Sequence, residues 1–168
     1  MKNSPNTVFR IVALAALCCL FSLAPALGSG YEALSGVSEA KAVFDVRSGS
    51  PKTTWIYLDL IHKTYKDKSI REVTDTPDFK IVFIGPAVKL ISTDPQRFGE
   101  EDKPWLDKIA AIIPAMAADG ITLEICMYAA DLMGVKAESV FPEIIQVENG
   151  WISLIGYQNR GYSLVPAY

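Results

Sequence analysis

The sequence predicts an α/β domain, a mainly parallel five-stranded sheet with helices on both faces. The apolar pattern switches repeatedly between short continuous runs and longer stretches whose apolar residues recur three or four apart, the periods of strand and helix. Runs and stretches alternate along the chain, so the connections are crossovers rather than hairpins. One run, Phe79 to Ile84, is almost unbroken, as suits a strand covered on both faces. With 168 residues, 50% hydrophobic and 21% charged, the chain can build one core but not two.

The first segment stands apart. Lys2 and Arg10 precede an uncharged stretch, Ile11 to Leu27, that ends in small residues. This is the layout of a secretory signal, with cleavage expected after Ala26 or Gly28 and residues 1–28 as the leader. An uncleaved anchor is the alternative, since the stretch is at the lower limit for crossing a bilayer. Either way the domain is expected to be exported, periplasmic or secreted, with no stable membrane insertion once the leader is removed. Loss of two cations moves the formal charge from −3 to about −5. Residues 29–40 read as a mobile lead-in, and residues 41–168 as the single working domain.

Ala42 to Val46 is the first strand, closed by Arg47 and the turn-prone Ser48-Gly49-Ser50-Pro51. From Lys52 to Tyr65 a helix follows, with Trp55, Leu58, Ile61 and Tyr65 as its stripe and Ile56 and Leu60 widening it. Lys66 to Asp78 reads as a loop with a short edge strand at Ser69 to Val73. Phe79 to Ile84 is the second strand, ended by Gly85-Pro86. A short apolar piece, Val88 to Ile91, precedes an exposed excursion from Ser92 to Lys103. Pro104 opens a helix with Leu106, Ile109, Ile113 and Met116 inward, and Pro114 predicts a kink or early end. Ile121 to Cys126 is the third strand and runs directly into a short helix, Met127 to Met133. Ala137 to Phe141 adds a turn, Ile144 to Val147 the fourth strand, and Asn149-Gly150 another turn. Trp151, Leu154 and Ile155 share one side of a last helix, and Tyr162 to Val165 closes the sheet.

Composition removes several functions. The acidic balance argues against nucleic acid, which needs clustered cations. The best cluster, His62, Lys63, Lys66, Lys68 and Arg71, is interrupted by Asp67 and reads as a solvated helix end. Cys18 and Cys19 fall in the leader, so Cys126 is the one cysteine of the working domain and no internal disulfide framework is available. One cysteine and one histidine do not make a zinc set, and no metal is expected. No dinucleotide or phosphate-loop fingerprint occurs, and no cofactor is expected. The lone His62 is expected in solvent, away from any thiol, which weakens an acyl-transfer reading.

In an open α/β sheet, ligands collect beyond the carboxyl ends of the strands. Val46 to Pro51, Gly85 to Val88 and Cys126 to Tyr128 are such places. Cys126 stands at the end of a strand and the start of a helix, where amide N–H groups favour a thiolate, the reactive form. The other reading, a small hydrophobe at the top of the core, stands beside it. Gly85 and Pro86 shape an amide-lined hollow next to it, with Tyr128 as a candidate hydrogen-bond donor. Glu124 shares the sheet face of Cys126 and, with Asp131, is a carboxylate that would oppose ionisation. Trp151, Tyr157, Tyr162 and Tyr168 read as core and interface packing.

The stretch from Gly120 through Ile-Cys126-Met-Tyr128 to Gly134-Val135 resembles the cysteine segment of the DsrE/DsrF-like family. The closing stretch from Val147-Glu-Asn-Gly150-Trp to Gly161-Tyr162 does too, and the first two strands, with Gly85-Pro86-Ala-Val88, match in kind and order. The resemblance spans residues 40 to 166. It implies an α/β sandwich, homotrimers or related oligomers, and kinship with sulfur-relay proteins whose cysteine carries a persulfide. Cys126 falls on that position and Gly85 on the glycine turn facing it. What it implies for this chain is a carrier of sulfane sulfur with a donor or acceptor protein or small thiol as partner. The competing expectation is a non-catalytic oligomeric binding or scaffold module with a packed cysteine.

Overall fold

In the computed structural model, the described residues are 30–94 and 98–168. The expected leader and its cleavage site lie outside them. Residues 34–168 form one compact unit. The described segment before the first strand is exposed except for half-buried Leu34 and Ala40, and it holds a 3-10 turn at Glu32–Leu34. Among the described residues no helix is long and apolar enough to cross a membrane.

The sheet has the spatial order β4-β3-β2-β1-β5, with β1 Lys41–Val46, β2 Asp78–Phe83, β3 Thr122–Cys126, β4 Ile145–Val147 and β5 Ser163–Ala167. Every pairing is parallel. Helices α1 Pro51–Lys66, α2 Lys68–Val73, α3 Lys103–Ala118, α4 Met127–Leu132 and α5 Gly150–Asn159 complete the fold, with a 3-10 turn at Gly85–Leu90 after β2.

Strand alternation separates the faces. Phe44 and Phe79 stack on one face, and Tyr65 of α1 meets Phe79 edge-on. Asp45, Val82 and Glu124 lie in one row on the opposite face, where Tyr157 of α5 donates to Glu124. Helices thus cover both faces, and the inner strands are sealed: Val43, Val46, Ile81, Val82, Phe83 and Ile125 are wholly buried.

Several local expectations are corrected. Ser69 to Val73 is not an edge strand but part of α2, because Asp67 caps it by accepting from the Ser69 amide. The helix holding Pro114 does not end early and runs to Ala118. Pro114 and Ala110, whose carbonyl loses its usual donor, both face outward, so water can take that bond. Ile56 and Leu60 do not widen the buried stripe and are exposed. In α5 only Leu154 of the expected trio is buried, while Trp151 and Ile155 are exposed.

His62 is not in solvent. Its Nε2 lies 2.6 Å from Asp119 Oδ2, an oxygen that Lys66 Nζ also reaches at 2.6 Å. Lys66 and His62 hold the Asp119 carboxyl below its usual range. Asp119 precedes β3 and Cys126 ends it, so the cluster lies at the opposite end of the sheet from the thiol.

Candidate functional site

Parallel register assembles the site. Val46 pairs with Phe83, and Phe83 with Ile125. One residue further on, Arg47, Ile84 and Cys126 form a row across the carboxyl ends of β1, β2 and β3. The Ile84 amide still bonds the Val46 carbonyl at 3.0 Å, so the ladder reaches this row. All three residues line one hollow of about 510 Å³, into which Gly85 also opens.

Cys126 is a free thiol, 3% exposed, at the inner wall of this hollow. Two helices begin against it. Cys126 is the residue that precedes the first turn of α4, with no side-chain capping bond of its own. The Tyr128 amide in that turn is engaged by the Glu148 carbonyl at 3.0 Å, which anchors α4 to the β4 exit. Helix α5 starts at Gly150, where Asn149 accepts from the Trp151 amide. Its positive dipole end thus lies beside the thiol, worth about 0.3–1 kcal/mol toward a nearby anion.

Gly150 is required there by contact. A Cβ would come within 3.0 Å of both Cys126 Cβ and Ile84 Cγ1. Gly150→Val is therefore expected to cost about 1–3 kcal/mol by overpacking and to slow alkylation of Cys126, measured by denaturant melts and thiol labelling. Gly85 is required by conformation. Its φ of +59° suits glycine, and a side chain would meet nothing within 4 Å. Pro86 does not line the hollow. Its ring sits where a Cβ on Gly49 would be, 2.7 Å away, and so ties the β2 exit to the β1 exit.

Tyr128, 67% exposed, and Leu132, one turn on in α4, form one rim, and Trp151 and Asn149 another. Asp131 is exposed and outside the lining. Glu124 shares the Cys126 face but is absorbed elsewhere: Tyr157 donates to its Oε1, and Oε2, also buried, has no partner among the described residues.

Arg47 was not singled out by the sequence, although it lies in one of the strand-end segments. Its Nε sits 2.9 Å from both Asp45 carboxylate oxygens and its Nη2 2.8 Å from Oδ2. Asp45 is buried, and the Tyr168 hydroxyl donates to it at 3.3 Å. Tyr168 also lies under the guanidinium, 5.5 Å from its ring centroid, and its carbonyl accepts from Tyr57. The hydrogen bond to Asp45 raises the Arg47 pKa further, against the opposing effect of burial, so this cation is permanent.

Two tyrosines, Tyr157 of α5 and Tyr162 just after it, report on the same packing. Burial first, and then the Glu124 carboxylate, hold the Tyr157 phenol far above its ordinary range. Burial and the hydrogen bond to Asp78 push Tyr162 up to about 12. Both hold their protons more tightly folded than unfolded. Their contribution is complete below about pH 10, the unfolded value, and is lost as pH rises through the folded values. Denaturant melts are expected to show stability falling above about pH 10, with the slope reduced in Tyr162→Phe.

The family model for the DsrE/DsrF-like family matches residues 41–166. The chain belongs to the DsrE/DsrF-like family. An uncharacterized protein of Aquifex aeolicus (strain VF5) is 28% identical over 130 residues, 77% of this chain and 56% of that protein. The chain thus spans about half the length of that curated relative. Among solved structures, the protein of unknown function MTH1491 from Methanobacterium thermoautotrophicum aligns with a TM-score of 0.60 at 11% identity, covering 76% of this chain and 99% of that one. This likeness shows the α/β fold. The ychN protein from E. coli aligns with a TM-score of 0.45 at 13% identity, over 75% of this chain and 98% of that one.

Proposed function

We propose that this DsrE/DsrF-like protein is an exported carrier of sulfane sulfur, held as a persulfide on Cys126. The observation that carries this reading is a free thiol set in the wall of an open hollow at the strand ends, with α5 starting beside it. The Cys126 thiolate attacks the outer sulfur of a donor R–S–SH. A bond forms between Sγ and that sulfur as the donor S–S bond breaks, and the electron pair leaves with R–S⁻, which takes up the proton Cys126 released. Attack on the carried sulfur by an acceptor thiol repeats the exchange in the other direction. No oxidant or organic cofactor enters the balance.

Exposed Tyr128, Leu132 and Trp151 line the hollow, and Ile152 and Ile155 are exposed on the same helix as Trp151. These apolar side chains support self-association, since exposed apolar patches mark interfaces. A homotrimer or a multiple of it is the assembly we propose, to be tested by light scattering. A packed, inert cysteine in an oligomeric binding module draws on the 3% exposure of Cys126. Transfer separates the two readings. Protein loaded with polysulfide and freed of excess is mixed with a small acceptor thiol, and intact mass is followed. The carrier reading expects the added sulfur to leave the protein and appear on the acceptor; protein that never gains reducible sulfur contradicts it.

A further inference from the structure

Among the described residues, the hollow around Cys126 has one charged residue in its lining, Arg47, and no carboxylate. This is unexpected in a chain with formal charge −3. We infer that Arg47 recognises anions in this hollow and selects small sulfane-sulfur donors that carry a carboxylate over neutral ones. The inference rests on the carrier reading of Cys126 and names its substrate class.

The geometry supports recognition across the hollow. Arg47 and Cys126 occupy the same row and face on strands separated by β2. Neighbouring strands lie about 4.8 Å apart, so the two backbones are about 10 Å apart. That leaves room for a ligand of a few heavy atoms, with its sulfur at Cys126 and its carboxylate toward the guanidinium. The guanidinium is pre-set: buried Asp45 takes the Nε and Nη2 side, and the Tyr168 ring supports one face. The bonds to Asp45 run through Nε and Nη2, and the Arg47 side chain remains 37% exposed. Asp45 offsets much of the charge, so recognition is by directed N–H donors more than by net field. The remaining walls, Ile84, Leu132 and Trp151 among them, suit a short carbon chain.

Two alkylating agents that differ in one charge test this on the full chain without sulfur chemistry. At low salt, the rate ratio of iodoacetate to iodoacetamide at Cys126 is expected to exceed that of a small free thiol about tenfold, the scale of one charge-assisted hydrogen bond. In Arg47→Gln the ratio falls to that of the free thiol. Because that variant strands a buried carboxylate, Asp45→Asn/Arg47→Gln provides the same loss with formal charge unchanged and is expected to give the same ratio. Loading from the persulfide of 3-mercaptopropionate over that of mercaptoethanol should follow the same pattern. Equal ratios in the native protein and free thiol, or a raised ratio that survives both variants, overturn the role of Arg47 while leaving the carrier reading intact. A Cys126 that reacts with neither reagent until unfolded overturns the carrier reading, and this inference with it.

Discussion

Cys126→Ser is expected to abolish sulfur uptake altogether. Serine keeps the size and position of the side chain, but its hydroxyl does not ionise near neutral pH and cannot accept a sulfane sulfur. The native protein treated with polysulfide should gain mass that a reductant removes, and the serine variant should gain none. Cys126 is buried and packs closely against Gly150, and serine is no larger than cysteine, so the fold should tolerate the change. Near-native melts of the variant would confirm that the lost uptake is chemical. Equal uptake of reducible sulfur by both proteins contradicts the carrier proposal.

A stability effect comparable in size to that of Gly150→Val is expected two residues before Cys126 on β3. Tyr157→Phe removes the donor to Glu124, a buried carboxylate whose other oxygen already lacks a partner among the described residues. Leaving such a group without its hydrogen bond costs about 2 kcal/mol. Tyr157 also packs edge-on against Tyr162, their centroids 5.1 Å apart, and the ring is retained in the variant, so packing is held constant. Adding Glu124→Leu to Tyr157→Phe should restore most of the loss, because removing both members of a buried polar pair is far cheaper than removing one. Denaturant melts of the two single variants and the double variant give the coupling directly. Additive losses would show that the pair does not hold α5 onto the sheet.

Much of this fold can be read from local pattern. The near-continuous run at Phe79 to Ile84 and the apolar run ending at Cys126 are strands because both faces are covered, and alternation along β3 places Glu124 and Cys126 on one face. Gly85 is legible because an abrupt Gly-Pro after such a run signals a turn. What could not be read is what only tertiary register creates. Arg47 follows a strand and looks like an ordinary surface cation until three strands align and bring it level with Cys126. Local chemistry also overrode pattern at Asp67, whose cap makes Ser69 to Val73 helical. Ile56 and Leu60 look like core residues from spacing alone, yet they face outward on α1, and spacing carries no information on which face a neighbour will cover.

Everything chemical in this account requires the Cys126 sulfur to be reachable in the folded protein. Labelling the native chain with a small alkylating reagent at mildly acidic pH, followed by intact mass, measures this directly. The account predicts complete single modification well before any unfolding. A thiol that stays unmodified until denaturant is added, and then reacts at once, would contradict it.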